Sequence, residues 1–123
     1  MLVPLTYNLR SLFVRRSATL LTMLGIGATV AIVSDTHMPR GGRRLPAGCV
    51  ERIAAADLLL HAGDLSTLAV MHELEAIGPP LVAVHGNVDS AEVRSLLPAE
   101  RVVEVGGARI ALLNRRARSE IEQ

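Results

Sequence analysis

The sequence predicts an α/β fold in which short apolar strands alternate with helices. Three apolar runs each end at a glycine or at polar residues, and stretches with helical spacing lie between them. Such an alternation favours a parallel sheet with right-handed crossovers. In addition, the runs "RVVEV" and "ARIALL" flank Gly106-Gly107, which predicts a hairpin near the end of the chain. We therefore expect the order β-α-β-α-β-α-β-β.

The first two strands of this order are each followed by residues that can bind metals. The run "VAIV" at residues 30–33 is rich in β-branched residues and predicts the first core strand, followed by Asp35 and His37. The stretch "LPAGCVERIAAA" has helical spacing. The second strand is predicted in "DLLLHAGD", an apolar run that ends at Gly63 and Asp64.

The second half of the pattern repeats this arrangement. Ser66 is the predicted N-cap of the helix "TLAVMHELEAI", which the sequence "GPP" terminates. The third strand is predicted in "LVAVHGN", which ends at Asn87. Asp89 or Ser90 is expected to cap the short helix "AEVRSLL", and of the two we expect Asp89 to do so.

Composition limits the class of protein. With 123 residues, of which 50% are hydrophobic and 2% aromatic, the chain is long enough for one domain with an aliphatic core. A net charge of +1 gives no electrostatic indication of a nucleic-acid partner. The single cysteine, Cys49, excludes an intramolecular disulfide and fits a reducing compartment, so a cytoplasmic location is expected.

The N-terminal segment differs from the rest of the chain. Residues 17–34 carry no charge, and Arg15 and Arg16 precede them, a pattern typical of a membrane anchor or a signal sequence. The stretch "YNLRSLFVRRSATLLTMLGIGATVAI" resembles the N-terminus of bacterial ABC-transporter permeases. Two interpretations stay open: a hydrophobic leader helix over residues 1–29 that packs on the domain, or membrane association through residues 17–33.

Polar side chains follow each of the three predicted parallel strands. Because the carboxyl ends of such strands meet at one edge of a sheet, Asp35, His37, Asp64 and Asn87 are expected to converge there. Carboxylate, imidazole and amide groups suit divalent Mn, Fe, Ni, Zn or Mg, which the sequence does not distinguish. Two close carboxylates repel each other unless a cation lies between them. A carboxylate from the central strand can also bridge two ions, an arrangement used in phosphoryl chemistry.

The stretches "SDTH", "HAGD" and "HGNVD" resemble the first three motifs of the calcineurin-like metallophosphoesterases, D-x-H, G-D and G-N-x-D/E. The small bacterial and archaeal phosphodiesterases of that superfamily are the most similar type. The resemblance implies an α/β/β/α sandwich and a phosphodiesterase in which water activated by two metal ions attacks the phosphorus of a phosphoester substrate. It also implies that Asp35 and His37 hold the first ion, that Asp64 bridges, and that Asn87 holds the second.

The sequence departs from the family pattern in two places. Many members have a histidine after the asparagine that protonates the leaving group, whereas this chain has Val88. No histidine occurs after His85, so the later histidine ligands and the closing G-H-x-H motif are absent. We therefore expect a truncated sandwich with parallel strands, crossover helices and a C-terminal hairpin. Its parts would be a leader at residues 1–29, a partial domain at 30–114 and a polar tail at 115–123.

These departures leave several functions open. The chain could be a weak or inactive phosphodiesterase, a catalytically impaired fragment or fusion, or a membrane-tethered module that binds a metal or phosphate. Asn87 and Arg40 are the expected contacts of a phosphoester, although a solvated loop is the default interpretation for Arg40. His61 and His85 lie inside apolar runs, so we expect them to pack or to form hydrogen bonds rather than to bind metal.

Overall fold

The computed structural model describes residues 21–23 and 28–115. The strands within these ranges are β1 (Leu21–Met23), β2 (Val30–Val33), β3 (Leu58–His61), β4 (Leu81–Ala83), β5 (Glu100–Val105) and β6 (Ala108–Leu113). The helices are α1 (Ala47–Ala54), α2 (Leu68–Glu75) and α3 (Ala91–Leu96), with a short 3-10 turn at Arg40–Gly42. The predicted order from Val30 onward is confirmed.

One of the two sheets is parallel and positions the candidate site. Its order is β2-β3-β4, with β3 in the centre. Val33 pairs with His61, and His61 pairs with Ala83, so the three strands end at the same level. The loops that follow them therefore leave from one edge, as expected for the carboxyl ends of parallel strands.

The second sheet contains the predicted hairpin. Its order is β1-β5-β6, and β5 pairs with β6 in the antiparallel sense. Gly106 and Gly107 have φ angles of 56° and 82° at the turn. A two-residue turn of this kind requires positive φ at both positions, which glycine adopts without steric cost.

The expectation of a leader helix is wrong at Leu21–Met23, which form strand β1. This strand pairs in parallel with β5, with Leu21 opposite Val103, and so supplies partners to backbone groups that an edge strand would leave unpaired. Residues 1–20, 24–27 and 116–123 lie outside the described residues, so the division into leader, domain and tail stays a prediction. Within the described part of the chain, no helix is long and apolar enough to cross a bilayer.

Two aliphatic layers hold these elements together. Between the sheets, the buried side chains are Leu58, Leu60, Val82, Val84, Val103, Val105 and Leu112. On the other face of the parallel sheet, Leu59, Leu81 and Ala83 pack against helical side chains including Ile53, Val70, Leu74 and Val93. Strand β3 is thus buried on both faces, which explains its continuous run of leucines. The result is an α/β/β arrangement, in agreement with the predicted fold class.

Because β2 is an edge strand, one of its apolar side chains is exposed, although the sequence predicts a core strand. Val30–Val33 form the predicted strand, but Ile32 is 60% exposed because β2 has a single neighbour in the sheet as described. The predicted cap of α2 is displaced by one residue, since the side chain of Thr67, not that of Ser66, accepts the N–H of Val70.

Candidate metal centre

The loop after β2 lies directly against the loop after β3. The N–H of Asp35 donates to the carbonyl of Gly63 at 3.1 Å, and the N–H of His37 donates to the carbonyl of Asp64, also at 3.1 Å. These bonds continue the pairing of the two strands beyond their ends. They place the metal-binding side chains of Asp35, His37 and Asp64 side by side at the edge of the sheet.

Asp35, His37 and Asp64 form a compact cluster. One ligand atom from each residue lies within 4.8 Å of the corresponding atoms of the other two. Nε2 of His37 is 3.8 Å from Oδ1 of Asp35. Asp64 is buried, with 3% of its surface exposed, whereas Asp35 faces solvent. Two carboxylates and an imidazole that can reach a common point form a donor set suited to a divalent ion.

The backbone of all three residues is strained. The φ angles of Asp35, His37 and Asp64 are 52°, 46° and 59°, in the left-handed region that side chains other than glycine rarely adopt. Each such conformation costs about 1–3 kcal/mol and persists where the surrounding structure enforces it. Positive φ at three neighbouring residues with metal-binding side chains makes this cluster the candidate functional site.

The electrostatics of the cluster favour a cation. Burial raises the pKa of Asp64, and the nearby Asp35 and Asp89 raise it further. The hydroxyl of Ser34 donates to Asp35 at 2.6 Å and is the main reason that the pKa of Asp35 lies below its ordinary value. A positive ion between Asp35 and Asp64 would offset both the desolvation of Asp64 and the repulsion of the pair.

The amide of Asn87 fits a role as a ligand. Among the described residues, Oδ1 of Asn87 is one of two buried side-chain polar atoms without a hydrogen-bond partner. The next residue, Val88, donates its N–H to Oδ1 of Asp64 at 3.2 Å, so the loop after β4 reaches the cluster. A buried oxygen without a donor is costly, and a cation would satisfy it. Asn87 stays a predicted ligand.

Asp89 has a different role from the predicted helix cap. Ser90 caps α3, because its hydroxyl accepts the N–H of Val93. The buried carboxylate of Asp89 instead accepts the N–H groups of Asp64 at 3.0 Å, Gly86 at 2.6 Å and Ser66 at 2.7 Å. It therefore fastens the loop after β3 to the loop after β4. The acidic end of "HGNVD" was the sequence signal for this role.

His61 fastens the other pair of loops. It is fully buried, its Nδ1 accepts the N–H of Gly63 at 3.2 Å, and its Nε2 lies 3.0 Å from Oγ1 of Thr36. Since Nδ1 accepts, the neutral ring carries its proton on Nε2 and donates to Thr36. Burial lowers the pKa of His61 to about 4. The prediction that His61 forms hydrogen bonds is confirmed, as it is for buried His85, whose Nδ1 lies 3.2 Å from the carbonyl of Gly86.

Glycine is required where the loops approach most closely. A Cβ on Gly86 would overlap the carboxylate of Asp64. Gly63 has a φ of 99°, and a Cβ there would lie 2.9 Å from the backbone nitrogen of Gly86. The glycines of "HAGD" and "HGN" therefore allow the ligand loops to meet.

A cavity of about 450 Å³ lies beside the cluster. It is lined by His37, Met38, Pro39, Arg40, Ser66, Thr67, Val88 and Ser90. Arg40, a predicted substrate contact, thus shares a cavity with one of the cluster residues. Val88 is 48% exposed, and its side chain cannot donate a proton.

Comparison with known proteins agrees with this geometry. The model of the calcineurin-like phosphoesterase superfamily domain matches residues 29–123. The chain belongs to this superfamily. A probable metallophosphoesterase of Methanothermobacter thermautotrophicus is 31% identical over 85 residues, which cover 69% of this chain and 48% of that protein. One from Methanocaldococcus jannaschii is 26% identical over 92 residues, covering 75% and 45%. The chain therefore spans about half the length of the curated relatives it matches.

Solved structures show the same phosphoesterase-like fold. Vacuolar protein sorting 29 from Cryptosporidium parvum is 26% identical and superposes with a TM-score of 0.62, over 73% of this chain and 51% of that one. Vps29 from Entamoeba histolytica, solved in complex with Zn²⁺, is 19% identical with a TM-score of 0.55, over 76% and 56%. At that identity the second likeness concerns the fold alone.

Proposed function

We propose that this chain binds one divalent metal ion at Asp35, His37 and Asp64 and acts as a weak, metal-dependent phosphodiesterase. The observation that carries the proposal is the approach of three ligand atoms to within 4.8 Å on three strained residues. Membership of the superfamily supports the class of reaction.

A divalent ion bound by these residues would supply positive charge for a phosphoryl oxygen and would make water a stronger nucleophile at neutral pH. The chain's own residues hold it: Asp35 and Asp64 contribute charge, and His37 contributes an imidazole. His61 and Asp89 fix the loops on which these ligands stand. Among the described residues, a second ion would have Asp64 and the neutral amide of Asn87, which adds little affinity.

The cavity beside the cluster is the proposed substrate site. The guanidinium of Arg40 and the amide of Asn87 are the proposed contacts of the phosphate, and the hydroxyl groups of Ser66, Thr67 and Ser90 can donate hydrogen bonds. Because Val88 cannot protonate a leaving group, esters whose leaving group is stable as an anion should react fastest.

The test is hydrolysis of bis(p-nitrophenyl) phosphate with and without Mn²⁺, for the wild type and for Asp64→Ala. Glu73→Ala is the control, since Glu73 is an exposed carboxylate that pairs with Arg44. We expect slow, Mn²⁺-dependent release of nitrophenol that Glu73→Ala retains and Asp64→Ala loses. Turnover of about 10 s⁻¹, ordinary for an enzyme, would contradict a site with one weakly held ion. Equal rates for the wild type and Asp64→Ala would contradict the site itself.

A second candidate is metal binding without turnover. The observation that favours it is Val88, which leaves the cavity without a proton donor at that position. Binding of Mn²⁺ by calorimetry, with no hydrolysis above that of Asp64→Ala, would select this function over the first.

A further inference from the structure

A second cavity, of about 250 Å³, lies among α2, β4, the end of α3 and the beginning of β5. Its walls are aliphatic and consist mainly of Leu68, Met71, Leu81, Ala83, Leu96 and Leu97. None of the residues that line it belongs to the Asp35, His37 and Asp64 cluster. An apolar cavity with a small number of placed polar groups is the usual form of a small-molecule site.

Arg101, which also lines this cavity, is the unusual residue. It is 6% exposed, and its Nε is buried without a hydrogen-bond partner among the described residues. Burial lowers the pKa of its guanidinium, and no carboxylate in the described part of the chain offsets that effect. A guanidinium stays charged in proteins, so Arg101 presents a largely buried positive charge to an apolar cavity.

The position of Arg101 in the sheet makes simple packing a poor explanation. Along β5, Arg101, Val103 and Val105 are the buried positions, and the residues between them are more exposed. The period-2 pattern therefore places an arginine where the strand otherwise has valine. By contrast, Arg109 on β6 is exposed and pairs with Glu104 at 3.7 Å.

We propose that this cavity binds an aliphatic monocarboxylate, with the carboxylate on the guanidinium of Arg101 and the hydrocarbon chain along the leucine walls. A planar guanidinium matches a carboxylate with two parallel hydrogen bonds. The described walls contain no Phe, Tyr or Trp, which favours an aliphatic body over a stacked ring.

The charged residues around the cavity favour a ligand with one negative charge, and the volume of the cavity favours a short hydrocarbon chain. Arg101 is the one permanent cation among the described lining residues, and Glu75, which also lines the cavity, would repel a dianion such as a phosphate monoester more strongly than a monoanion. Glu75 is exposed and pairs with His72 at 3.4 Å, and no ion pair joins it to Arg101 among the described residues. A volume of about 250 Å³ lies below the range of about 300–1,000 Å³ usual for drug-sized ligands, which favours chains of short to medium length.

The experiment is a titration of the full chain with octanoate, followed by ¹H–¹⁵N correlation spectra at neutral pH. We expect saturable shifts at amides around the cavity, with millimolar or tighter affinity. Arg101→Met keeps a flexible unbranched stem without the charged guanidinium and should weaken binding by about ten-fold or more. Arg109→Met, the exposed arginine of the neighbouring strand, is the matched control and should leave binding unchanged. Octyltrimethylammonium, with the same chain and the opposite charge, should not bind.

Thermal unfolding supplies a second measurement that does not depend on metal or activity. Octanoate should raise the Tm of the wild type and not that of Arg101→Met. Without octanoate, Arg101→Met should melt no lower than the wild type, because it removes a buried unpaired charge. Should Arg101→Met fail to fold, Leu97→Phe, which narrows the cavity and keeps the charge, should also weaken octanoate binding.

Three results would overturn the proposal: no octanoate-dependent shift in the wild type at several millimolar, equal octanoate affinity in Arg101→Met, or equal binding of octyltrimethylammonium. Unchanged affinity in a folded Leu97→Phe variant would do the same. None of these results bears on the metal site, so this proposal and the proposed phosphodiesterase function fail separately.

Discussion

The two sides of Asp64 differ in charge. On one side, which we term the histidine side, stand Asp35 and His37, a carboxylate and an imidazole within 4.8 Å of Asp64. We term Asn87 and Asn114, which are neutral, the amide side: Asn114 donates to Asp64, and Val88, the residue after Asn87, donates its N–H to Asp64. We therefore expect the described residues to hold one ion more tightly than a second.

Hydrogen bonding strengthens this difference. Nδ2 of Asn114 donates to Oδ2 of Asp64 and to the carbonyl of Ala62, both at 3.3 Å. A donor that already occupies one oxygen of Asp64 competes with a cation for that oxygen. On the histidine side, His61 and the backbone bonds of Asp35 and His37 hold the ligands in place. A carboxylate shared by the two sides would therefore not make two equal metal sites.

The largest expected effect comes from removing the residue that both sides share. Asp64→Ala should weaken Mn²⁺ binding by about 100-fold or more, beyond the 10- to 100-fold typical of residues behind the ligands. Isothermal titration calorimetry with Mn²⁺ measures it, with Glu73→Ala as the control. Retention of wild-type affinity by Asp64→Ala would contradict the role of Asp64 as the ligand that both sides share.

Asp89→Asn should disturb both sides together, because Asp89 holds the loops of Asp64 and Gly86. An amide in its place turns an NH₂ group toward at least one N–H donor. We expect a loss of about 2–3 kcal/mol in the free energy of unfolding, the scale of a hydrogen bond to a charged group. Urea denaturation checks it, with Glu51→Gln at an exposed helical position as the control. A loss no larger than that of the control would contradict the role of Asp89.

Acidification should loosen the histidine side first. His61 has a pKa of about 4 when folded and an ordinary value of 6.5, so the unfolded chain binds more protons between those values. The stability that His61 contributes is therefore complete above pH 6.5 and falls as the pH drops toward 4. Between pH 7 and pH 5 this amounts to about 2 kcal/mol.

The measurement is the free energy of unfolding at both pH values, for the wild type and for His61→Gln, which removes the titrating group. The difference in the free energy of unfolding between pH 7 and pH 5 should be smaller in His61→Gln than in the wild type, by about 2 kcal/mol. The same pH dependence in both proteins would show that His61 does not titrate in this way.

The smallest effect is expected on the amide side. Asn87→Ala should weaken binding of the first Mn²⁺ ion by no more than about five-fold, which corresponds to roughly 1 kcal/mol. Calorimetry alongside Asp35→Asn sharpens the comparison, since the latter removes charge and should have a clearly larger effect. An equal loss in the two variants would mean that the amide side contributes as much as the histidine side.

Much of this arrangement could be predicted from the sequence. The runs that end at Asp35, Asp64 and Asn87 alternate with helices, and that pattern predicts both the parallel sheet and the shared edge of the ligands. The hairpin followed from Gly106 and Gly107. In each case the local pattern and the tertiary structure favour the same conformation, which is why the prediction was right.

Other features depended on contacts distant in sequence. Leu21–Met23 form a strand because β5 offers a free edge, and a hydrophobic segment does not reveal such a partner. Asp89 is of a residue type that is common at helix N-caps, but the loops that it joins meet only in the folded chain. The burial of Arg101 is likewise invisible in a strand pattern, where arginine ordinarily marks an exposed position.

The most direct test of the one-ion site is the number of Mn²⁺ ions that the full chain binds, measured by equilibrium dialysis over a wide range of concentration. We predict one ion per chain with measurable affinity, lost in Asp35→Asn and retained in Asn87→Ala. A second ion, if forced in, should bind much more weakly. Two ions of similar affinity, or no ion at all, would contradict the claim that the histidine side alone has the ligands to hold a metal.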